Sequence, residues 1–224
     1  MDDLLFENIK RVTIIDDDPD VRQSYGFSVE DLALEPILID GPVQEPATFL
    51  AEITSSANAA ICDHHLMKVK SYSSCNGAPL VSEMYKMHFP AILCTKYEDA
   101  SIDEIRPLRR NIPVLLNPSD LEPESFEHGI RLCINEFKGE FVPVRRPWRA
   151  LVRVEDVDDG KGIDSFFVVV PSWDSNQVIR LFHKDVPENI RSLIVPGKRL
   201  HAMVNLGAER YEEIYFEYES WEEK

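Results

Sequence analysis

The 224-residue sequence predicts an α/β protein in which a doubly wound, five-stranded parallel sheet is followed by a small, mainly antiparallel β-domain. Three observations lead to this fold class. Five short apolar runs recur about every twenty-five residues within the first 140 residues. Helical patterns fill the gaps between those runs, as expected for parallel strands joined by crossover helices. Beyond residue 148 apolar and polar residues alternate in several segments, which is typical of antiparallel strands with one solvated face.

Each of the five apolar runs is short enough for a strand and nearly continuous, as expected for strands covered by helices on both faces. The predicted strands are VTIID (12–16), PILID (36–40), AAICD (59–63), AILCT (91–95) and IPVLL (112–116). In the first connection Asp18 precedes Pro19, a pair that favours the start of a helix. Pro107 lies inside the fourth helical pattern and should shorten or bend that helix.

The formal net charge of −16 is unevenly distributed along the chain. Residues 1–140 contain 12 Lys+Arg against 25 Asp+Glu, a net charge of −13, whereas residues 141–224 contain 12 against 15, a net charge of −3. Neither part has the basic surplus of a nucleic-acid binder, so nucleic acid is not an expected partner. The step in charge, together with a Gly- and Pro-containing stretch, predicts an α/β domain over 1–140, a linker over 141–147 and a small β-sheet or barrel domain over 148–224.

The beginning of the chain and its cysteines point to a cytoplasmic protein. The first residues, MDDLLFENIKR, lack the basic and apolar regions of a secretory signal. No apolar run approaches the roughly eighteen residues of a membrane span, so no membrane association is expected. The four cysteines show no CxxC spacing, which favours reduced thiols over a zinc site.

Polar side chains stand where the predicted strands of the parallel sheet end. The first run ends in Asp16-Asp17, the third in Asp63, the fourth in Thr95, and the fifth runs into Asn117. The carboxyl ends of parallel strands meet at one edge of a sheet, where ligands gather. A single Asp at such a place is often only a helix cap. Several carboxylates at one edge would instead repel each other unless a cation lay between them, and their hard oxygens suit Mg²⁺ or Mn²⁺.

Four sequence elements in this order resemble the receiver domain of two-component response regulators, over roughly residues 8–140. These elements are RVTIIDDDPDVRQSYG with its acidic pair, AAICDHHLM, PAILCT, and the interval from Thr95 to Asn117-Pro118. The resemblance implies a flavodoxin-like receiver fold. It also implies phosphoryl transfer from a histidine kinase or a phosphotransfer protein to an aspartate, with Mg²⁺ or Mn²⁺ bound beside it.

The resemblance assigns a role to each matching residue. Asp63 would accept the phosphoryl group, Asp17 would bind the metal directly and Asp16 would bind it through water. The backbone carbonyl of His65 would complete the protein ligands, and Thr95 would hydrogen-bond the phosphoryl group. The chain would then be a signalling protein rather than an enzyme, apart from its own phosphorylation and dephosphorylation.

Three positions depart from the family pattern. Asn117 stands where the family has a lysine that pairs with the phosphoryl group, Val114 stands where an aromatic residue is usual, and Met67 replaces a common proline. A charge-assisted contact contributes roughly 1.5–3 kcal/mol. Driving a two-state switch from almost off to almost on takes about 5.5 kcal/mol. Two alternatives therefore stay open: a phosphorylated receiver with a weak switch, and a non-phosphorylated pseudo-receiver that serves as a docking module.

The triplet Asp63-His64-His65 also matches a metal-ligand signature of one phosphoesterase family. That family further requires an upstream acidic motif containing His and a glycine-rich His motif near the C-terminus. NLGAERY, the nearest counterpart, has one Gly and no His. Metal-dependent phosphoester hydrolysis is therefore the lesser alternative, and the two histidines are expected to lie in a solvated loop.

The last part of the chain predicts five antiparallel strands curled into a small barrel. The strand-like segments are WRALVRVEDV, IDSFFVVVPSW, QVIRLFHKD, KRLHAMVNLG and EEIYFEYESW. No three-helix pattern is present that would provide a helix-turn-helix output. Binding to an unidentified protein partner is the expected role, with the whole chain acting as a phosphorelay adaptor or phosphate sink. Receivers often dimerise through their fourth and fifth helical faces, so a homodimer is compatible with the resemblance.

Overall fold

The computed structural model describes residues 8–43, 46–69, 71–96, 99–158 and 164–223. Contacts within the chain define two compact units. The first contains Met1–Ser101 and Asn111–Phe141, and the second contains Ile102–Arg110 and Val142–Lys224. The domain and linker boundaries drawn from composition stay a prediction. The contact-based division differs from them in assigning a short internal segment, 102–110, to the second unit.

A five-stranded parallel sheet forms the centre of the first unit. Its strands are β1 (Arg11–Ile15), β2 (Glu35–Leu38), β3 (Ala59–Asp63), β4 (Ala91–Cys94) and β5 (Val114–Leu116). The strand order is β2-β1-β3-β4-β5, and all four pairs are parallel. The predicted fold class is therefore confirmed, in the strand order of the flavodoxin-like doubly wound sheets. The predicted first and fourth strands end one residue too late, because Asp16 and Thr95 follow β1 and β4.

Helices connect the strands as the βα alternation predicts. They are α1 (Pro19–Glu30), α2 (Pro46–Ser56), α3 (Gly77–Lys86), α4 (Asp99–Ile105) and α5 (Pro123–Phe137). The Asp18 carboxylate accepts the backbone N–H groups of Asp20 and Val21, which confirms the predicted cap of α1. After Ile105 the chain continues as a 3₁₀ helix over Arg106–Asn111. The predicted effect of Pro107 is confirmed, since proline cannot supply the N–H that an α-helix needs there.

The core of the first unit lies between the sheet and its helices. Val12, Ile14 and Ile61 are fully buried, and α5 contributes Phe126 to the same cluster. Burying side chains of this size stabilises a fold by about 1.5–3 kcal/mol each, before chain entropy is counted. This packing fixes β1 and β3 beside each other, and with them the loops that follow their carboxyl ends.

A five-stranded antiparallel sheet forms most of the second unit, as predicted. Its strands are β6 (Trp148–Asp158), β7 (Ser165–Val170), β8 (Asp174–Phe182), β9 (Arg199–Val204) and β10 (Phe216–Glu223). Their order is β10-β9-β6-β7-β8, and a short helix, α6 (Glu188–Arg191), lies between β8 and β9 in the chain. Within the described residues β10 and β8 are not hydrogen-bonded to each other. The predicted barrel is therefore an open sheet in this part of the structure.

The internal segment 102–110 belongs to the second unit through a buried arginine. Arg106 is 2% exposed, and its Nη1 donates to the carbonyls of Tyr211 (3.0 Å) and Ile214 (2.8 Å). Its guanidinium lies 4.4 Å from the ring centroid of Tyr211. Arg145 Nη1 donates to the carbonyl of Arg109 at 3.0 Å in the same unit. Along the chain, the first unit therefore gives way to the second within α4, between Ser101 and Ile102.

Among the described residues, each helix is either too short or too polar to cross a lipid bilayer.

Candidate metal centre at the sheet edge

The polar residues singled out in the sequence come to the same edge of the parallel sheet. Asp16 and Asp17 follow β1, Asp63 ends β3, Thr95 follows β4 and Asn117 follows β5. One carboxylate oxygen from each of the three aspartates lies within 4.8 Å of the others. The structure thus brings together the three carboxylates that the sequence assigned to a metal.

Asp16 is the most buried of the three, at 4% exposure. Its Oδ1 accepts the backbone N–H of Asp18 at 2.8 Å. Its own N–H donates to the hydroxyl of Tyr72 at 3.2 Å, and that hydroxyl donates to the carbonyl of Ile39 at 2.9 Å. The buried guanidinium of Arg22 donates to the Asp16 carbonyl. The chain around Asp16 is therefore held from three directions.

The environment of Asp16 favours its neutral form when no cation is bound. Burial raises the pKa of Asp16 to about 7, and the negative charges of Asp63 and Asp17 act in the same direction. The hydrogen bond from Asp18 opposes this rise only in part. Charges of one sign at this separation are costly unless a proton or a cation compensates them. A divalent cation among the three carboxylates would remove that cost.

Asp63 is half-buried, and opposing influences act on its carboxylate. Burial raises the pKa of Asp63, while the imidazole of His65 and the side chain of Lys68 act to lower it. The His65 backbone N–H donates to Asp63 Oδ2 at 2.9 Å and also favours the charged form. The carboxylate is therefore oriented by the loop that follows it and is partly open to solvent.

The loop after β3 also contacts the second carboxylate. The backbone N–H of Val69 donates to Asp17 Oδ2 at 2.8 Å. The carbonyl of His65, the ligand that the resemblance assigns to the metal, accepts the N–H of Lys68 at 3.4 Å. This hydrogen bond is long and weak, so the carbonyl oxygen keeps most of its capacity as a ligand. One short loop thus supports Asp63 and Asp17 together.

The expectation of two solvated histidines is wrong for His64. This residue is 1% exposed, and its backbone N–H donates to the carbonyl of Cys94 at 2.9 Å. His65 is half-buried, and its Nε2 lies 3.1 Å from the hydroxyl of Ser101. Across the part of the chain that the structure describes, the cluster of metal-capable ligands contains the three aspartates and no histidine nitrogen. This arrangement does not favour the phosphoesterase reading.

Thr95 and Asn117 are both engaged with their own loops. Thr95 is 1% exposed, and its Oγ1 donates to the carbonyl of Lys96 at 3.3 Å. Asn117 Oδ1 accepts the N–H of Ser119 at 3.2 Å and the hydroxyl of Ser119 at 2.9 Å. Asn117 therefore caps the 3₁₀ helix Pro118–Asp120. It supplies no positive charge at the place where the family has a lysine.

Three supporting residues were not identified from the sequence. Gly77, the first residue of α3, lets that helix start against β3: a Cβ there would lie 1.9 Å from the Asp63 carbonyl oxygen and 2.7 Å from Cys62 Sγ. A glycine opening a helical pattern was its available signal. Tyr72 and Arg22 reach Asp16 from a polar loop and from α1, and neither position carries a periodic pattern that would have shown it.

The donor set fits a hard divalent cation. All three side chains offer carboxylate oxygens, and the His65 carbonyl offers a fourth oxygen in the adjoining loop. Mg²⁺ is commonly held by one or two carboxylates and keeps several waters, so it does not need a closed protein cage. Asp16, Asp17 and Asp63 would hold the ion, and the half-buried Asp63 carboxylate would remain accessible to a second reactant.

Solved structures similar to the first part of the chain include response regulator receiver domain proteins. One, from Clostridium thermocellum, is 18% identical with a TM-score of 0.44 and covers 58% of this chain and 98% of its own. A CheY-like receiver domain protein from Methanospirillum hungatei is 19% identical with a TM-score of 0.43 and covers 59% and 99%. A chemotaxis protein from Vibrio cholerae is 16% identical with a TM-score of 0.38 and covers 53% and 92%. No protein-family model and no curated protein matches the sequence.

Proposed function

We propose that the first unit accepts a phosphoryl group on Asp63 in a phosphorelay. The observation that carries this proposal is the convergence of Asp16, Asp17 and Asp63 within 4.8 Å at the carboxyl edge of a doubly wound sheet. The receiver-like order of the sequence elements supports the same assignment. A two-component signalling role follows, with a histidine kinase or a phosphotransfer protein as the phosphoryl donor.

In this proposal each aspartate has a different task. Asp63 Oδ2 is held by the His65 N–H, so the orientation of the nucleophilic carboxylate is set before a donor arrives. Asp16 is buried and anchored through its backbone, which suits a fixed position beside the reacting group rather than the reaction itself. Asp17 is tied to the same loop by Val69. Holding the Asp63 carboxylate in place in this way reduces the entropy cost of bringing it together with the phosphoryl donor.

The transfer step needs no other chemistry from the chain. A carboxylate oxygen of Asp63 attacks phosphorus in line with the leaving group, the P–O bond of an acyl phosphate forms, and the P–N bond of the donor phosphohistidine breaks. The donor imidazole takes up a proton as it leaves. A bound Mg²⁺ supplies neutralisation of charge on the transferring group. The protein contributes position and electrostatics, so the unit is proposed as a signalling component and not as an independent enzyme.

The residues in and directly after β5 favour a weakened response after phosphorylation. The side chain of Asn117 is used to cap Pro118–Asp120, and Val114 offers no aromatic ring to rearrange. The contact missing at Asn117 is worth roughly 1.5–3 kcal/mol, against the roughly 5.5 kcal/mol of a complete switch. An adaptor or phosphate sink needs the transfer but only a small conformational response. This is the form of the function that we propose.

A docking module that is never phosphorylated is the second candidate. The engagement of Asn117 with Ser119 and of Asp17 with Val69 favours it, since both side chains have partners outside any phosphoryl group. The raised pKa of Asp16 counts against it, because strongly perturbed pKa values cluster at sites that bind ions or carry out chemistry.

For the second unit we propose binding to a protein partner. Trp148 is 49% exposed, and the guanidinium of Arg146 lies 4.7 Å from its ring centroid. Exposed tryptophan and arginine side chains are the residue types that dominate protein interfaces.

Trp148→Ser should leave the unfolding free energy within about 0.5 kcal/mol of wild type. It should reduce the recovery of specific partners in quantitative affinity isolation, whereas Val195→Ser, also at an exposed apolar residue, serves as the control.

The test of the phosphoryl transfer uses intact-mass spectrometry. The purified protein is incubated with Mg²⁺ and acetyl phosphate, alongside Asp63→Asn and Asp31→Asn, the second of which alters an exposed aspartate at the far end of α1. We expect one acid-labile phosphoryl adduct on the wild type and on Asp31→Asn, and none on Asp63→Asn. A wild type that takes up no phosphoryl group, with or without Mg²⁺, would leave the docking module as the better account.

A further inference from the structure

We propose that Lys68, in the loop after β3, supplies the ammonium group that binds the phosphoryl group on Asp63. Lys68 would make the charged contact that a lysine makes in the family and that the uncharged Asn117 cannot make. The inference rests on the proposed function, because it concerns the phosphorylated state of the same site. It follows from the charge at the site, the path of the loop and the engagement of Arg22 and of the His65 ring.

Phosphorylation of Asp63 would add negative charge to a site that is already acidic. A phosphoryl group carries about two negative charges at neutral pH. It would stand beside Asp16 and Asp17, whose carboxylate oxygens lie within 4.8 Å of that of Asp63. One divalent cation compensates two of these charges and leaves the site with a negative excess. A further positive group next to the phosphoryl oxygens would therefore stabilise the product.

The position of Lys68 in the loop places it close to the site. Three residues before it, the His65 N–H donates to Asp63 Oδ2 at 2.9 Å, and directly after it the Val69 N–H donates to Asp17 Oδ2 at 2.8 Å. The N–H of Lys68 closes the turn on the His65 carbonyl at 3.4 Å. Lys68 thus lies between two backbone groups that are bound to two different carboxylates of the site. Its backbone cannot be far from either of them.

The side chain of Lys68 is exposed, so its flexible stem is free to turn toward the site when a phosphoryl group is present. This freedom adds to the position that the backbone hydrogen bonds on either side of Lys68 give.

Other polar groups near the site are already engaged. Arg22 donates to the Asp16 carbonyl and pairs with Asp40 at 3.1 Å. The His65 ring is hydrogen-bonded to Ser101 at 3.1 Å, and Asn117 is uncharged and bound to Ser119. Lys68 combines a permanent charge, exposure and a place in the loop that holds both Asp63 and Asp17.

The experiment compares Lys68→Met with wild type in two measurements that should move in opposite directions. We expect the rate of phosphorylation by acetyl phosphate in intact-mass time courses to fall about tenfold, because the product loses a charge-assisted contact. Mg²⁺ binding by calorimetry should become about two- to fivefold tighter, because a positive charge has been removed from beside three carboxylates. A variant with a merely damaged loop would lose both properties together.

Two further variants serve as controls. Lys68→Arg keeps the charge and should stay within about threefold of wild type in both measurements. Lys10→Met removes an exposed lysine just before β1, at the opposite end of the strands, and should change neither. Equal phosphorylation rates for wild type and Lys68→Met would overturn the role of Lys68 while leaving the proposed function intact, as would a joint loss of rate and Mg²⁺ affinity. Failure of the wild type itself to be phosphorylated would overturn both.

Discussion

The candidate site has two halves that are built differently. The acidic half consists of Asp16, Asp17 and Asp63, at the ends of β1 and β3. The polar half consists of Thr95 and Asn117, after β4 and β5. In the acidic half, oxygens from three side chains lie within 4.8 Å of one another. In the polar half, Thr95 donates to the Lys96 carbonyl and Asn117 accepts from Ser119. One half is gathered around a common centre, and the other is bound to its own loops.

This difference suggests that accepting a phosphoryl group and responding to it are separate properties of the site. Under the proposed function, binding a cation and accepting a phosphoryl group would depend on the acidic half, whereas the response to the phosphoryl group would depend on contacts made by the polar half. Such a chain would still pass or store a phosphoryl group while its response was altered. Changes in each half should therefore have distinct consequences.

The largest effect is expected from Gly77→Ala, which acts on the acidic half. The new Cβ would lie 1.9 Å from the Asp63 carbonyl oxygen, a backbone atom that cannot turn away. Either α3 must move or the end of β3 must shift, so we expect a loss of more than about 3 kcal/mol in the free energy of unfolding. Urea denaturation followed by circular dichroism measures this quantity.

Gly26→Ala is the matched control for that substitution. Gly26 also lies in a helix, but the nearest atom to its added Cβ is 3.5 Å away, an ordinary contact. Alanine is favoured over glycine in helices by about 1 kcal/mol, so this variant should be as stable as wild type or more so. Equal stability of Gly77→Ala and Gly26→Ala would contradict the close approach of α3 to Asp63.

The second effect concerns pH and the buried carboxylate of Asp16. Its pKa is raised from an ordinary 3.8 to about 7 in the folded chain, so the folded state binds the proton more tightly than the unfolded state. The metal-free protein should therefore lose stability as the pH rises from about 4 to about 7 and remain at the lower level above that range. Asp16→Asn removes this loss and should raise the unfolding free energy at pH 8 by about 2–3 kcal/mol in EDTA.

Mg²⁺ and a neighbouring substitution provide the controls for this prediction. Saturating Mg²⁺ should stabilise wild type at pH 8 by about 2.7 kcal/mol at a hundredfold excess over the dissociation constant, and Asp16→Asn by much less. Asp18→Asn makes the same charge change at an exposed position and preserves the cap. It should differ from wild type by less than about 0.5 kcal/mol. An Asp16→Asn variant that is less stable than wild type in EDTA at pH 8 would show that the carboxylates do not repel one another as described.

The smallest effect is expected in the polar half, from Asn117→Lys. The substitution removes the cap of Pro118–Asp120, which should cost about 0.5–1 kcal/mol of unfolding free energy. It also places a positive charge where the family has one, so the phosphorylated fraction at a limiting donor concentration should rise about threefold or more. Phosphorylation is followed by intact mass, and the conformational response by hydrogen exchange of β4 and β5.

Asn117→Ala separates the two consequences, since it loses the cap without adding charge. It should show the same loss of stability and no gain in phosphorylation. If Asn117→Lys and Asn117→Ala behaved alike in both measurements, the polar half would not be short of a cation, and the contrast between the two halves would not hold.

Much of the parallel sheet and the acidic half could be predicted from the sequence. Continuous apolar runs fix buried strands, and the order of polar residues at their ends follows from chain direction alone, which is why Asp16, Asp17 and Asp63 could be placed on one edge. The strand ends themselves were off by a residue at Asp16 and Thr95, because hydrogen bonding, and not residue type, decides where a strand stops.

The parts that could not be predicted depend on contacts between distant segments. The hydroxyl of Tyr72 meets the backbone of Asp16 across 56 positions, and the N–H of Val69 meets Asp17 across 52. His64 is buried, and its N–H donates to the end of the next strand, although its position in the loop after β3 suggested exposure to solvent. The inclusion of 102–110 in the second unit depends on contacts such as those of the buried Arg106, which a helical pattern alone does not distinguish from a surface residue.

Phosphoryl transfer to Asp63 is tested most directly by locating the phosphoryl group chemically. The protein phosphorylated in Mg²⁺ is reduced with borohydride, which converts an aspartyl phosphate to homoserine, and the product is mapped by peptide mass spectrometry. We expect homoserine at residue 63 alone, and none when EDTA replaces Mg²⁺. Homoserine at another aspartate, or a phosphoryl group found on His64 or His65 in its place, would contradict the assignment of Asp63 as the acceptor.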